Sequence, residues 1–149
     1  MSDSDLINLY SGRILELAAD IPLTERLPDP DATARRRSPL CGSNVTVDVK
    51  MKDGRIAAFG QDVKACALGQ AAAAVVGGCI IGRSRAEVER ARDQLQAMLK
   101  DGAPAPDAPF EGFEVLVPAR AFRNRHASIM LCLEATAEAM EQAEKATCA

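Results

Sequence analysis

The stretch Val45-Thr46-Val47-Asp48-Val49-Lys50-Met51-Lys52-Asp53-Gly54-Arg55-Ile56 decides how this chain folds. Val45, Val47, Val49 and Met51 alternate with Thr46, Asp48, Lys50 and Lys52, the period-two pattern of a strand with one buried and one wet face. Asp53-Gly54 is a strong two-residue turn signal, because both positions accept φ > 0. Ile56 to Ala65 then returns as the partner strand, with a bulge expected near Gly60. A hairpin brings its two ends together. Cys41, in Pro39-Leu40-Cys41-Gly42-Ser43, and Cys66, in Val63-Lys64-Ala65-Cys66-Ala67-Leu68, flank those ends. The pattern therefore predicts both thiols at one end of the sheet, an arrangement suited to a metal ion or a sulfur-rich cluster.

Before the hairpin, Leu6, Leu9, Tyr10, Ile14, Leu17 and Ile21 recur at helical spacing. They predict an amphipathic helix over about 4–20, capped by Ser4 or Asp5 and ended by Pro22. From Pro22 to Pro39 the prolines 22, 28, 30 and 39 and the run Arg35-Arg36-Arg37 predict a surface loop. The arginines fit a solvated charge run, or a contact to an acidic partner or a phosphate.

After the hairpin, Ala67 to Gly82 is apolar on nearly every side and predicts a buried helix weakened at Gly77-Gly78. Ser84-Arg85-Ala86-Glu87 is a capping box. It opens a helix with Val88, Ala91, Leu95, Met98 and Leu99 as its apolar stripe, closed by Asp101-Gly102. Prolines 104, 106 and 109 mark a linker. The type of the apolar patch Phe113 to Val117 stays open, and a last helix is expected from about Asn124 to Lys145, with Ile129, Leu131, Cys132, Ala135 and Met140 inward.

The chain has 149 residues, enough for one domain (1–149) with a continuous core. A mean hydropathy of -0.06 and the lack of an apolar run of about 18 residues argue against a membrane protein. With no stretch shaped like a signal peptide, the expected location is cytoplasmic, where thiols stay reduced. Net charge -3, one Tyr, no Trp and four Phe give nucleic acid little to bind. No carboxylate pair, Ser/His/Asp set or phosphate-cradling glycine loop suggests an enzyme.

Five cysteines (41, 66, 79, 132, 148) match no compact disulfide scaffold. Cys41 precedes Gly42, so its backbone can come close to a ligand. Cys66 falls at a helix N-terminus, where free N–H groups and the helix dipole favour thiolate. Cys79 reads as core and Cys148 as tail. For further donors, His126 is the only histidine and Cys132 follows on the same predicted helix. Each also has a plain structural reading.

Over nearly its whole length the chain resembles the scaffold proteins of iron–sulfur cluster assembly, the IscU, NifU N-terminal and SufU-like family. The resemblance rests on Leu27-Pro28-Asp29-Pro30-Asp31-Ala32-Thr33 before Pro39-Leu40-Cys41-Gly42, on Cys66-Ala67-Leu68, and on Ile81-Gly82-Arg83-Ser84. It rests also on Arg125-His126-Ala127-Ser128-Ile129-Met130-Leu131-Cys132-Leu133-Glu134-Ala135. It implies an α+β fold, a small antiparallel sheet with four to five helices mainly on one face. It further implies three cysteines that bind an iron–sulfur cluster of the 2Fe–2S type, or zinc in its place. The implied partners are a cysteine desulfurase and acceptor apo-proteins, with no nucleic acid or membrane, for a monomer or weak homodimer.

Two positions depart from that pattern. The family's Cys-Gly-Asp is Cys41-Gly42-Ser43, and ungapped alignment puts Ser128 (Ala127 after a one-residue shift) where the third cysteine belongs. Cys132 lies one turn beyond Ser128, about 6 Å along a helix axis, so its use requires the helix to shift or a site of different shape. His126 is the other candidate. The family's Pro-Pro-Val-Lys chaperone segment has no counterpart in Phe122-Arg123-Asn124-Arg125. The expected function is a cluster scaffold or carrier with Cys41, Cys66 and Cys132 or His126 as ligands. The alternatives are a metal-free interaction module and a zinc-dependent sulfur acceptor.

Overall fold

In a computed structural model that describes residues 11–39 and 42–147, three antiparallel strands, β1 (Ala32–Arg37), β2 (Asn44–Lys52) and β3 (Arg55–Lys64), form one sheet in the order β1-β2-β3. Around it lie α1 (Gly12–Ala19), α2 (Ala67–Gly77), α3 (Arg85–Asp101), a 3-10 helix (Glu111–Ala121) and α4 (Arg123–Thr147). This is the α+β architecture expected, with helices on the inner face of the sheet. The long helix α4 packs across β1 and β2 and against α2 and α3.

The hairpin forms where the alternation puts it. Asp53 and Gly54 have φ of 54° and 77°, and Lys52 pairs with Arg55. Val45, Val47 and Val49 point inward and are fully buried. The register shift falls between Lys50 and Met51 rather than at Gly60. Gly60 serves another purpose. A methyl there would meet Leu27 N at 3.2 Å and Arg26 Cα at 3.3 Å, so its bare backbone admits a chain segment laid across the sheet.

That segment overturns the expected wet face of β2. Asp48 is fully buried and accepts from Arg26 Nε at 2.6 Å, Arg26 Nη2 at 3.0 Å, Leu27 N at 3.0 Å and Thr33 Oγ1 at 2.5 Å. Residues 22–30 therefore cover part of the outer face. Residues 32–37, read from sequence as loop, are strand β1, paired with β2 from Ala32↔Val49 to Arg37↔Asn44. The prolines masked the strand, because they dominate the segment's composition without lying inside β1.

Other boundaries follow their local signals. Helix α1 starts at Gly12, with Ser11 Oγ accepting from Ile14 N at 3.5 Å, whereas the caps expected at Ser4 or Asp5 lie outside the described residues. The capping box of α3 is complete, and Gly102 closes that helix in the left-handed conformation with φ 74°. The open patch at 113–117 is the 3-10 helix, whose Phe113 and Leu116 are fully buried. No helix among the described residues is long and apolar enough to cross a membrane.

The core is tied by one amide. Gln61, fully buried on β3, donates through Nε2 to Pro22 O and Ala73 O, both at 3.1 Å, and accepts from Cys132 Sγ at 3.2 Å. Gly77 makes room for it, since a methyl there would sit 3.0 Å from Gln61 Nε2.

Asp48 gives the first prediction. Burial raises its pKa, but the Arg26, Thr33 and Leu27 hydrogen bonds outweigh burial and hold it below the ordinary 3.8. A depressed carboxyl contributes stability that is complete above its unfolded pKa and is lost as pH falls through the folded one. Denaturant unfolding should show Asp48→Asn less stable at neutral pH by about 2 kcal/mol. The loss of stability on acidification below about pH 4 should be shallower than in wild type. Parallel curves would remove Asp48 as a source of the acid sensitivity.

Candidate metal centre

The end of the sheet that carries Asn44 and Lys64 is where the sequence placed the site. Asn44 pairs with both Arg37 and Lys64, so β1, β2 and β3 all reach this end. The β1–β2 connection closes tightly, with Ser38 N–H donating to Ser43 O at 2.8 Å and Gly42 N–H to Ser38 O at 3.1 Å. Cys41 itself lies outside the described residues, as does Cys148. The flanking Ser43 is described and faces the site.

Cys66 is the N-cap of α2, in extended backbone with φ -66° and ψ 171°. Its half-buried thiol lies 3.5 Å from Ser128 Oγ on α4, and Ser128 Oγ lies 3.3 Å from Ser43 Oγ. Both serines are buried. The contact requires α2 and α4 to come unusually close, which Gly69 permits. A methyl at that position would lie 2.5 Å from Ser128 Oγ and 2.7 Å from Ala65 Cβ.

Burial pushes the Cys66 thiol up. The Ser128 hydroxyl, the Gly69 and Leu68 amides of the helix N-terminus and the Arg125 side chain outweigh it, so the thiol is held below its ordinary value of 9.0. This is the thiolate-favouring position expected from sequence. The other described thiols behave oppositely. Burial drives Cys79 up to about 11 and Cys132 up to about 12. A protonated Cys132 is what its role demands, because only an S–H can donate to Gln61 Oε1.

The structure does not bring Cys132 or His126 to Cys66. The Cys132 thiol is spent on Gln61 inside the core. The His126 ring is buried against the 3-10 helix, with Nε2 at 3.0 Å from Ala119 O and 3.2 Å from Arg120 O. Both carbonyls are acceptors, so Nε2 carries the proton and donates. Both residues thus follow their plain structural readings. Among the described residues no group of three or more His, Cys, Asp or Glu side chains is arranged to hold a metal ion. What the described site offers is one activated thiol and two hydroxyls, Ser43 and Ser128, with Cys41 adjoining in sequence. The family resemblance put Ser128 at the position of the third cysteine, but only the approach of α2 to α4 shows it as the neighbour of Cys66.

Two outcomes are expected. Brief alkylation of native protein at neutral pH, read by mass spectrometry, should label Cys66 before Cys79 and leave Cys132 unlabelled until the protein unfolds; Ser128→Ala should slow Cys66. Equal rates at Cys66 and Cys132 would contradict the electrostatics. Gly69→Ala should cost about 1–3 kcal/mol of unfolding free energy, part of it recovered in the Gly69→Ala/Ser128→Ala double variant. A neutral Gly69→Ala would show that α2 and α4 can separate freely.

No protein-family model matches the chain, and no curated protein matches it. Among solved structures it is similar to a nitrogen-fixing NifU-like protein (N-terminal) from Brucella abortus, with 41% identity and a TM-score of 0.92 over 95% of this chain and 98% of that one. A putative iron–sulfur cluster assembly scaffold protein for the SUF system from Fervidobacterium islandicum AW-1 shares the fold at TM-score 0.79. Its identity is 18%, over 90% of this chain and 98% of that one. Identity of 41% spread over nearly both whole chains, at a TM-score of 0.92, shows common descent: this chain belongs to the family of NifU-like N-terminal proteins.

Proposed function

We propose that this protein is a scaffold or carrier for iron–sulfur cluster assembly, holding the cluster as cargo at the Cys66 end of the sheet and releasing it to acceptor proteins. The observation that carries the reading is Cys66 itself, an activated, half-buried thiol on a helix N-terminus at the end of the sheet where residues 42 and 43 also lie. Cluster iron is held by thiolates. Cys66 and Cys41 are the protein ligands in this proposal, Cys41 on the strength of the family resemblance. Ser128 and Ser43 stand where that resemblance places a cysteine and an aspartate. Hydroxyls are poorer donors to soft iron than thiolates, so the cargo, a 2Fe–2S cluster, is held loosely and passed on readily. Zinc is the competing occupant. A cysteine desulfurase as sulfur donor and apo-proteins as acceptors complete the scheme. Cys132 and His126 would join the ligand set only after α4 shifted and their present bonds broke.

The reduced donor set also favours a second reading, an interaction module that kept the fold and does not carry metal. Anaerobic purification or reconstitution with iron and sulfide, followed by iron, sulfide and zinc analysis and visible absorption, separates the two. The scaffold reading expects a sulfur-to-iron charge-transfer band. Cys66→Ser should lower cluster content by roughly an order of magnitude or more, Cys132→Ser should leave it near wild type, and Ser128→Cys should lengthen its survival against a chelator. Wild-type protein that takes up neither cluster nor zinc, with Ser128→Cys equally empty, would favour the module instead.

A further inference from the structure

The run Arg35-Arg36-Arg37 has no part in the site described above, and its place in the fold gives it one. It lies on β1, the edge strand of the sheet. In β1–β2 the pairs Ala34↔Val47 and Arg36↔Val45 continue into the hydrogen bond from Ser38 N–H to Ser43 O. An antiparallel ladder alternates between residues that bond to the neighbour and residues that face away. The amides of Ala34 and Arg36 therefore face β2, and those of Thr33, Arg35 and Arg37 face outward. Among the described residues no strand pairs with that outer edge.

The side chains alternate as well. Arg36 shares the inner face with buried Ala34 and approaches Glu138 at 3.9 Å and Glu134 at 4.0 Å on α4. Arg35 and Arg37 point to the outer face, are exposed, and have no ion-pair or hydrogen-bond partner among the described residues. An uncompensated pair of guanidinium groups thus borders a row of open backbone donors and acceptors, on a chain whose net charge is -3. The edge ends at Arg37, where the chain turns through Ser38 toward Ser43 and the Cys66 thiol.

We propose that the free edge of β1, residues 33–37, is a β-strand addition site for an extended acidic segment of a partner protein. The segment's backbone pairs with the amides and carbonyls of Thr33, Arg35 and Arg37, and carboxylates at alternate positions pair with Arg35 and Arg37. Alternate side chains supply the specificity of such a site, while main-chain bonds supply the affinity. Cross-strand neighbours lie about 5 Å apart, which suits opposite charges and penalises like ones. A second copy of this chain pairing edge to edge would set arginine against arginine, so charge complementarity selects an acidic partner. On the inner face Arg36 already has Glu134 and Glu138, so the added strand needs no charge there.

The test uses the full chain and a synthetic peptide of alternating Glu and Thr as probe, followed by amide hydrogen exchange and chemical-shift perturbation in NMR. Saturable binding should protect the amides of Thr33, Arg35 and Arg37. Two further peptides, N-methylated on either alternate set of residues, should separate. The set that faces the edge abolishes binding and the other set does not. Arg35→Glu/Arg37→Glu should weaken binding at least about tenfold with an unchanged circular dichroism spectrum, since neither side chain holds the fold. Three results would overturn the proposal. With no binding, the arginines only guard the edge. With equal binding of all three peptides, the attraction is charge without strand pairing. Protection of the same amides by self-association without peptide would make the occupant a second copy.

Discussion

A single primary amide, that of Gln61, sits where four parts of the chain meet. It is fully buried, and burying an amide without partners costs on the order of a few kcal/mol. Here each of its hydrogen-bonding groups is used: two donors go to the carbonyls of Pro22 and Ala73, and the oxygen takes the thiol proton of Cys132. The arrangement fixes the amide's orientation, because two carbonyl acceptors require the NH2 end. It also fixes the relative positions of β3, the chain after α1, and the helices α2 and α4. The position of Cys66 at the head of α2 depends on that placement.

The same constraint separates the thiols by chemistry. Cys132 and Ser128 lie one turn apart on α4, yet one side chain meets a buried amide and the other meets Cys66. A thiol that must donate to Gln61 is held protonated by its surroundings. A thiol at the mouth of α2, met by two amides, a hydroxyl and Arg125, is pushed toward thiolate. Gly69 makes the second environment possible by letting the backbone of α2 approach Ser128. One helix therefore presents a core residue and a site residue within a single turn. The family to which the chain belongs is consistent with this geometry, and the serines at 43 and 128 lie beside the Cys66 thiol.

A second buried polar group organises the other side of the sheet. Asp48, flanked by valines in an alternating strand, reads as solvent-facing by pattern alone, but Arg26, Leu27 and Thr33 converge on it and bring residues 22–30 over the outer face. This leaves the remaining outer surface, with Arg35 and Arg37, at the end nearer the site. The covered half stabilises the sheet, and the other half borders the edge of β1 proposed above for strand addition.

The sequence by itself determined whatever depends on local chemistry. Alternating valines with Asp53-Gly54 specified the hairpin, Ser84 with Glu87 specified the start of α3, and Gly102 specified its end. Cys66 at a helix N-terminus specified an activated thiol, because dipole and free amides act within one turn. Tertiary structure decided what depends on which surfaces meet. It made residues 32–37 a strand, since an edge strand draws its hydrogen bonds from a neighbour rather than from its own composition. It assigned Cys132 to Gln61 and His126 to the carbonyls of Ala119 and Arg120, partners 71, 7 and 6 residues away in the chain. It set Ser128 beside Cys66 across 62 residues. Periodicity marks which side of a helix is buried, but only the packed neighbour decides whether a buried donor serves the core or the site.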